Sequence, residues 1–342
     1  MSDVEVFLDD TPGEVRGIVT RDGLYERLIV QRDADEPRHR LGALSVGRIA
    51  RVEPAFRAAF VDMGCDGPMG FLPLARNQTV KEGEAVEVEV IAEPRERKGP
   101  ALRLLKAGQG PPRLLAAGPS VEQALAVWAP GIVPTTGVDA IRAGLEAEED
   151  ALGTLHRFPA GAFDLAVQRT RALVAVDIDY AHLSGRDARK GRDRANRDGL
   201  AQAARLMALK GWGGLVVVDL VGTSFDPKHI SDMARGAFGG EATLGPVSRF
   251  GLLQLTLPWR RSPVEEVLLD VTGQRTPMTR AVDLTRQLRL ALLSDTAVPQ
   301  WTARCAPRDA DAAGPLVALL GPRAALRSDP SVLPGQALIE QG

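Results

Sequence analysis

The chain has 342 residues, 25% of them charged, and its formal net charge at pH 7 is −2. This length allows substantial cores and predicts two or three domains. The near-neutral charge argues against a protein that coats nucleic acid through a generally basic surface, but it leaves room for local basic patches.

The N-terminal segment and the cysteines bear on the cellular compartment. Residues 1–15 carry several acids and no apolar run, so we expect no signal peptide. No apolar stretch reaches the roughly 18 residues that a transmembrane helix requires, so we expect a cytoplasmic protein with no membrane partner. Cys65 and Cys305 are the only cysteines, and they support neither a disulfide framework nor a cysteine zinc site.

The first predicted elements are a β-hairpin and a small β-barrel. Residues 13–32 read as two strands around an Arg-Asp-Gly turn. Between residues 41 and 105, spaced apolar residues, a glycine cluster, the short strand 70–74 and the alternating strand 85–93 predict a five-stranded OB-type barrel. The exposed strand face and loops of this fold commonly bind oligonucleotides.

Two phenylalanines and a lysine are candidates for RNA contacts in this barrel. Aromatic residues make up only 4% of the chain, so Phe60 and Phe71 within one small barrel are notable. Exposed rings would stack unpaired bases, at roughly 1–3 kcal/mol each, and Lys98 in the basic loop 95–99 would suit a phosphate backbone. The alternative is that both rings belong to the core, in which case the barrel would serve mainly as a protein–protein module.

A linker and an α/β region follow the barrel. Residues 107–112, rich in Gly and Pro, predict the linker, and helical patterns occupy 120–127 and 138–152. The apolar runs 173–179 and 214–220 predict strands buried on both faces. Between them, apolar residues at helical spacing mark one face of a helix: Leu200, Ala203, Ala204 and Met207.

Two further segments have a marked pattern. Residues 185–197 carry six basic and two acidic side chains, which predicts either a solvated loop or contact with phosphate. The final third predicts a helix at 279–293 and ends in a tail punctuated by Pro and Gly.

Asp177 and Asp219 stand near the ends of the two apolar strands. If the strands are neighbours in a strand-helix-strand unit, both carboxylates emerge at the same edge of the sheet. Two close carboxylates repel each other, and Mg²⁺ relieves that repulsion while it keeps waters and a substrate phosphate in its shell. Such an ion polarises a phosphodiester and lowers the pKa of a bound water. The alternative is that each Asp forms a turn or caps a helix.

A set of motif residues runs through the barrel segment: Glu53-Pro54, Ala58 to Asp62, Gly64, Gly70 to Leu74, Lys98-Gly99 and Leu102. They match the EPxxxAAFVDxG and GFLPL signature and the KGxxL turn of the S1 RNA-binding domain in the ribonuclease E/G family, which the segment resembles. In that family the corresponding phenylalanines and lysine contact RNA. The resemblance therefore implies that Phe60, Phe71 and Lys98 bind single-stranded RNA.

Four later motifs are similar to the catalytic part of the same family, in the same order. The chain reads TRALVAVDID at 170–179, ANRDGL from 195, GGLVVVDL at 213–220 and VSRFGLLQLT from 247. The corresponding family motifs are TEALxxIDxN, TNLEAA, GGLIVIDF and ISRFGLLEMSRQR. The resemblance implies that Asp177 and Asp219 hold a catalytic Mg²⁺ and that Asp179 belongs to the catalytic group. Arg249 and Lys210 are further candidates for contact with phosphate oxygens.

The chain also departs from the family pattern. Asp179 stands where the family has an asparagine, which adds negative charge beside the metal pair, and Gln254 replaces a glutamate. Only about sixty residues separate the barrel from the catalytic strands, so the family's long segment that recognises the RNA 5′ monophosphate is missing. Its zinc-link motif has no counterpart, so an oligomer is possible without support from a zinc link.

Together these features predict a multidomain α+β or α/β protein. The resemblance implies an OB-type S1 barrel inserted into an RNase H-like/DNase I-like catalytic body, followed by a small C-terminal α/β domain. The expected domains are 1–39 (N-terminal hairpin of the RNase H-like subdomain), 40–106 (S1 domain), 107–165 (linker and the rest of that subdomain), 166–262 (DNase I-like catalytic domain) and 263–342 (C-terminal domain).

The predicted function is that of a Mg²⁺-dependent endoribonuclease. It would cleave single-stranded RNA, such as mRNA or rRNA precursors, in RNA processing or decay. The alternative is an RNA-binding or ribosome-associated protein descended from such a nuclease, because the departures alter the surroundings of the metal pair.

Overall fold

In the computed structural model the chain leaves one structural unit, forms a second, and returns to the first. Residues 3–181, 188–222 and 226–342 are described, and their architecture is mixed α+β. The first unit comprises residues 3–148 and 261–342, and the second comprises Glu149–Arg260. The second unit thus begins before residue 166, where the sequence pattern places the start of the catalytic domain.

The N-terminal sheet is built around a two-residue turn. Strands β1 (Val4–Asp9), β2 (Glu14–Arg21) and β3 (Leu24–Arg32) form an antiparallel sheet in that order. Asp22 and Gly23 connect β2 to β3 with φ angles of 50° and 76°. Two positive φ angles are typical of the type I′ turn, whose twist suits a hairpin. The hairpin predicted within residues 13–32 is therefore confirmed.

Helix α1 (Val121–Trp128) packs on this sheet. Ser120 and Gln123 form a reciprocal capping box, which fixes where the helix begins. The helix and the sheet share one apolar core: Val6, Val19, Ile29, Val121, Ala124, Leu125 and Ala129. The helical patterns at 120–127 and 138–152 are both confirmed, the second as α2 (Val138–Leu152).

Five of the next six strands close into a barrel. The six are β4 (Leu44–Glu53), β5 (Ala58–Asp62), β6 (Gly70–Pro73), β7 (Ala85–Ala92), β8 (Ala101–Ala107) and β9 (Arg113–Ala116). The cyclic order is β4-β5-β6-β8-β7, and β9 pairs with β4. Apolar side chains fill the interior: Ala43, Ile49, Ala59, Val61, Met63, Leu72, Val86, Val88, Val90 and Leu102. A closed five-stranded barrel is consistent with the OB-type fold expected from the sequence.

The second unit is a six-stranded sheet with two helices. Its elements are β10 (Leu155–Phe158), β11 (Phe163–Arg169), β12 (Val174–Tyr180), α3 (Ala188–Lys210), β13 (Gly214–Asp219), α4 (Pro227–Phe238), β14 (Thr243–Leu244) and β15 (Leu252–Leu257). The strand order is β10-β11-β12-β13-β15-β14. Among the described strands of this sheet, only β12 and β13 pair in parallel, with α3 between them in the chain.

Helix α3 covers one face of this sheet. On the opposite face, which we call the open face, the described side chains are half-buried or exposed. Leu200, Ala203 and Met207 are buried and Ala204 is half-buried, as the helical spacing predicts. Along β12, buried side chains alternate with exposed ones. The prediction that β12 and β13 are buried on both faces is therefore wrong. Small apolar side chains on the open face gave an amphipathic strand the sequence pattern of a strand buried on both faces.

The last 80 or so residues return to the first unit and form a small α/β layer. Its elements are α5 (Val264–Leu268), α6 (Pro277–Ser294), β16 (Trp301–Cys305), α7 (Pro307–Ala318), β17 (Ala324–Ser328) and β18 (Ala337–Gln341). β16 is the central strand, parallel to β17 and antiparallel to β18. Helices α6 and α7 bury apolar side chains with this sheet. Among the helices of the described residues, none has the length and apolar character to cross a membrane.

A buried network of charged side chains joins the N-terminal sheet to α6. The Glu14 carboxylate lies 2.7 Å from the guanidinium groups of Arg16 and Arg286 and 3.2 Å from that of Arg32. Arg286 also pairs with Asp9 at 2.7 Å. Four of these five side chains are at most 1% exposed. Because buried charges are tolerated only when paired and hydrogen-bonded, this network fixes α6 against β2.

Burial alone would raise the pKa of Glu14, but Arg16, Arg286 and Arg32 together lower it to about 2. Its ordinary value is 4.5, so the unfolded chain takes up a proton at a higher pH than the folded chain. The contribution of Glu14 to stability is therefore complete above about pH 4.5 and is lost as the pH falls toward about 2.

We expect Glu14→Gln to lower the free energy of unfolding by about 3–5 kcal/mol, because it leaves buried cations without their counter-charge. The variant should also show a smaller acid-dependent fall in stability between pH 4.5 and about 2, because it lacks the part that Glu14 contributes. Urea unfolding across this pH range measures both effects. The matched control is Glu26→Gln, whose partly exposed pair with Arg21 should contribute less than about 1 kcal/mol. Equal losses in the two variants would contradict the role given to the buried network.

Candidate functional site

The parallel pairing of β12 and β13 brings the two predicted metal ligands together. Asp177 and Asp219 are register partners, so their side chains project from the same face of the sheet on adjacent strands. Their neighbours Val176 and Val218 are buried on the opposite face under α3, whereas both aspartates are exposed. The two carboxylates are therefore neighbours, as expected, but they share a face of the sheet and not its edge, because Asp177 lies in the middle of β12.

Electrostatic repulsion is visible at this pair. The pKa of Asp177 is raised above its ordinary value of 3.8 by partial burial, by the Asp219 carboxylate and by the Asp179 carboxylate, in that order of importance. Asp179 lies two positions further along β12 on the same face. A cation bound between the carboxylates would relieve this repulsion.

A fourth carboxylate lies nearby, and sequence reasoning missed it. Asp164 on β11 is the register partner of Asp179 and therefore belongs to the same face. Among the described residues, however, no group of three or more Asp, Glu, His or Cys side chains is arranged to hold a metal ion. The facing pair of Asp177 and Asp219 fits a Mg²⁺ ion, which proteins commonly hold through one or two carboxylates together with waters and a substrate phosphate.

Two rows of register partners run across strands β11, β12, β13 and β15 on the open face. The first row is Ala166, Asp177, Asp219 and Leu252, and the second is Gln168, Ala175, Val217 and Gln254. A cavity of about 230 Å³ lies over them. The residues of the open face that line it are Ala166, Gln168, Ala175, Asp177, Val217, Asp219 and Leu252. The carboxylate pair thus borders a shallow cavity with mainly apolar walls.

A buried amide holds the chain just beyond Asp219. Asn196 of α3 is 1% exposed, and its side chain accepts a hydrogen bond from the Val221 N–H at 2.8 Å and donates one to the Val221 carbonyl at 3.1 Å. These two bonds tie the end of β13 to the helix that covers the sheet. Asn196 stands in a quoted motif, but only its contacts identify it as a residue that positions Asp219.

Lys210 does not lie where contact with phosphate requires it. Its side chain is 1% exposed, and its ammonium group donates to the carbonyl oxygens of Ala151, at 2.6 Å, and Gly153. This corrects the expectation that Lys210 binds RNA, because a buried ammonium bonded to carbonyls is structural. The sequence does not indicate whether a lysine at the C-terminal end of a helix points into the core or into solvent.

Arg249 is exposed in the turn that precedes β15. Its guanidinium carbon lies 4.8 Å from the ring centroid of Phe250, which is 71% exposed. The Ser248 hydroxyl accepts hydrogen bonds from the backbone N–H groups of Phe250 and Leu252. Because Leu252 is the register partner of Asp219, this turn ends beside the carboxylate pair. Arg249 was predicted from the sequence, but Phe250 was not. The signal available for Phe250 is that an aromatic residue follows an arginine in a polar turn.

The basic segment 185–197 lies only partly within the described residues. Residues 185–187 fall outside them. At the start of α3, Arg194 and Arg197 are exposed and both pair with Asp198, at 3.3 and 3.4 Å. Exposed ion pairs of this kind are weak, so these arginines remain accessible to an anionic partner.

In the first unit, Phe60 and Phe71 lie on the outer surface of the barrel. They are register partners on β5 and β6, and their ring centroids are 5.8 Å apart in an edge-to-face arrangement. Both rings are half-buried and neither belongs to the apolar interior. Arg51 on β4 pairs with Phe60, and its guanidinium carbon lies 4.7 Å from that ring. The result is a row of one cation and two rings, which we call the aromatic row (Arg51, Phe60 and Phe71).

Lys98 is exposed in the loop before β8. Its ammonium lies 2.9 Å from a carboxylate oxygen of Glu96, in an exposed pair that phosphate can displace. Gly99 follows it, and a β-carbon there would lie 1.8 Å from the Met69 carbonyl oxygen, so only glycine fits. The Phe71 N–H donates to the Pro100 carbonyl at 2.8 Å, which holds the loop beside the aromatic row.

Comparison of the chain with models of protein families found no match. Comparison with curated proteins found no match either.

We expect Asp177→Asn to raise the midpoint of thermal unfolding when divalent cations are chelated, because it removes one of two facing anionic groups. Because the pKa of Asp177 is raised in the folded state, the contribution of Asp177 to stability falls as the pH rises from 3.8 through that raised pKa. The variant should lack this contribution. Calorimetry in the presence of a chelator measures the midpoint. Asp311→Asn, which alters an exposed residue of α7, is the control and should leave it unchanged. A lower midpoint in Asp177→Asn would contradict the repulsion inferred here.

Proposed function

We propose that the protein is a Mg²⁺-dependent endoribonuclease that holds single-stranded RNA on its barrel and cleaves it at the carboxylate pair. The observation that carries this proposal is the register of Asp177 with Asp219 on an exposed sheet face beside a cavity. In this proposal the barrel is an S1 domain inserted into an RNase H-like/DNase I-like body. The motifs that resemble the ribonuclease E/G family support it.

The donor set at the pair suits a hard cation. Both side chains are carboxylates, which magnesium prefers, and the pKa of Asp177 is raised by burial and then by the nearby anions. When bound, Mg²⁺ would polarise the phosphodiester and lower the pKa of a water molecule. The contribution of Asp177 and Asp219 is to hold that ion at the edge of the cavity, with Asn196 fixing the chain beyond Asp219.

The reaction that fits this arrangement is hydrolysis. The oxygen of a water attacks phosphorus in line with the bond to the 3′ oxygen, a new P–O bond forms, and the bond to the 3′ oxygen breaks. The departing 3′ oxygen takes a proton from solvent, so the products are a 5′ phosphate and a 3′ hydroxyl. We assign to Asp179 the acceptance of the proton that the water loses, because it is the next carboxylate along β12 on the same face. Arg249 is the exposed cation near the pair that neutralises charge on the phosphate.

RNA binding is assigned to the aromatic row and to Lys98. Half-buried rings on a barrel surface give unpaired bases a stacking platform, and Arg51 and Lys98 supply charge for the phosphate backbone. The barrel has two candidate roles, RNA binding and service as a protein–protein module. The second requires the rings of Phe60 and Phe71 to be buried, so their half-buried position on the barrel surface favours RNA binding.

The second candidate function is RNA binding without cleavage. Asp179 favours it, because this carboxylate replaces a neutral family residue and contributes to the raised pKa of Asp177. Such a protein would bind RNA in a salt-sensitive way and would show no turnover at any concentration of Mg²⁺. The cleavage assay below distinguishes the two functions.

Asp177→Asn and Asp219→Asn are each expected to reduce Mg²⁺-dependent cleavage of single-stranded RNA by at least about 100-fold, because a bound metal contributes several kcal/mol to the transition state. Fluorescence anisotropy should show RNA binding within about twofold of wild type. Asp311→Asn is the charge-matched control. Variants of the pair that cleave as fast as wild type would rule out the metal site.

Phe60→Leu and Phe71→Leu are each expected to weaken the binding of single-stranded RNA at least about fivefold, because each removes a ring on which a base stacks. Their salt dependence should match that of wild type, since no charge changes. Lys98→Gln should instead flatten the slope of log affinity against log salt by about 0.7. Phe56→Leu removes an exposed phenylalanine outside the aromatic row and is the control. The same loss of affinity in that control would contradict the assignment to the row.

A further inference from the structure

The cavity beside the carboxylate pair has a floor made of small side chains. Ala175 and Val217 are register partners in the second row, two residues before Asp177 and Asp219 on their strands. At about 3.3 Å per residue, this floor lies about 7 Å from the carboxylate row. Larger residues stand at the two ends of the row, Gln168 on β11 and Gln254 on β15. The small pair between two long side chains makes the sheet surface concave.

The walls of the cavity indicate what it accepts. None of the described residues that line it is Lys, Arg or His, and two of them are aspartates, so the cavity does not suit a phosphate group. Its volume of about 230 Å³ is too small for a drug-sized ligand, which typically occupies 300–1,000 Å³, but it suits one flat ring system. Alanine and valine methyl groups offer an apolar surface to the face of such a ring.

A polar group is available at the edge of the same cavity. Gln168 lines it and is exposed, and its carboxamide carries both donor and acceptor atoms. A carboxamide is suited to the paired donor and acceptor positions on the edge of a nucleobase. The opposite end of the row carries a second carboxamide, Gln254, which is also exposed.

From these features we infer that the cavity is a base subsite. One nucleobase of the RNA lies on Ala175 and Val217, with its edge toward Gln168, and its own phosphodiester lies at Asp177 and Asp219. This inference rests on the proposed function for the identity of the ligand. It adds that the sheet, and not only the barrel, contacts a base, and that the cleavage position depends on which base is present.

The test fills the cavity without altering the carboxylates. Ala175→Leu adds bulk at an exposed position on the floor, and Thr256→Leu makes a similar change on the same sheet face outside the cavity. Binding of AMP, CMP, GMP and UMP to the full chain, with Mg²⁺ present, is measured by ligand-observed NMR. Wild type and Thr256→Leu should bind at least one of the four nucleotides. Ala175→Leu should bind it at least about fivefold more weakly, because the larger side chain occupies space that the base would fill.

Cleavage of an RNA pool of random sequence gives a second readout. Wild type should show a base preference at a nucleotide next to the cut, and Gln168→Ala should weaken that preference more than it slows cleavage. No nucleotide binding to wild type, or equal binding to Ala175→Leu, would overturn the subsite. If nucleotide binding behaves as expected but wild type cleaves no RNA, the nuclease assignment fails and the subsite stands. If wild type cleaves and Ala175→Leu keeps the same base preference, the subsite fails and the nuclease assignment stands.

Discussion

The function proposed for this protein depends on the parallel pairing of β12 with β13. Parallel strands need a crossover, and here α3 supplies it and buries its apolar side chains against one face of the sheet. Because side chains alternate along a strand, burying Val176 and Val218 under α3 forces Asp177 and Asp219 onto the other face. A slip of one residue in either strand would turn its aspartate toward the helix. The register is thus what brings Asp177, in the middle of β12, and Asp219, at the end of β13, together as one pair of facing carboxylates.

The same register also makes the surface around the pair. Small residues on the open face, Ala175 and Val217, leave space next to the carboxylates, so that charge and a shallow apolar cavity lie side by side. In the first unit, a network of buried ion pairs centred on Glu14 and Arg286 fixes the N-terminal sheet against the C-terminal helix α6. The carboxylate pair of the second unit and the aromatic row of the first both stand on β-strands, where packing and hydrogen bonds restrict their movement.

Much of this arrangement was accessible from the sequence, and the exceptions have physical causes. The hairpin, the barrel strands and α2 were predictable because turn residues and periodicity act locally. The pairing of Arg51 with Phe60 was not, since a bulge shifts the β4–β5 register there and no local signal reports it. The inward turn of Lys210 toward backbone carbonyls was also hidden, because it depends on a segment more than 50 residues away in the chain. The open face of β12 was hidden because alanine and valine occur in buried and exposed positions alike.

The most direct test of the central claim is a metal-rescue measurement at the scissile phosphate. A single-stranded RNA cleaved by the protein is prepared with sulfur in place of one non-bridging oxygen at the cleavage position. If Asp177 and Asp219 present a metal ion to that oxygen, the substitution should slow cleavage in Mg²⁺, and Mn²⁺, which accepts softer ligands, should restore it. The same RNA with oxygen should not be cleaved when a chelator is present. Cleavage that persists in the chelator, or a sulfur effect that Mn²⁺ does not reverse, would contradict catalysis by a metal ion at this carboxylate pair.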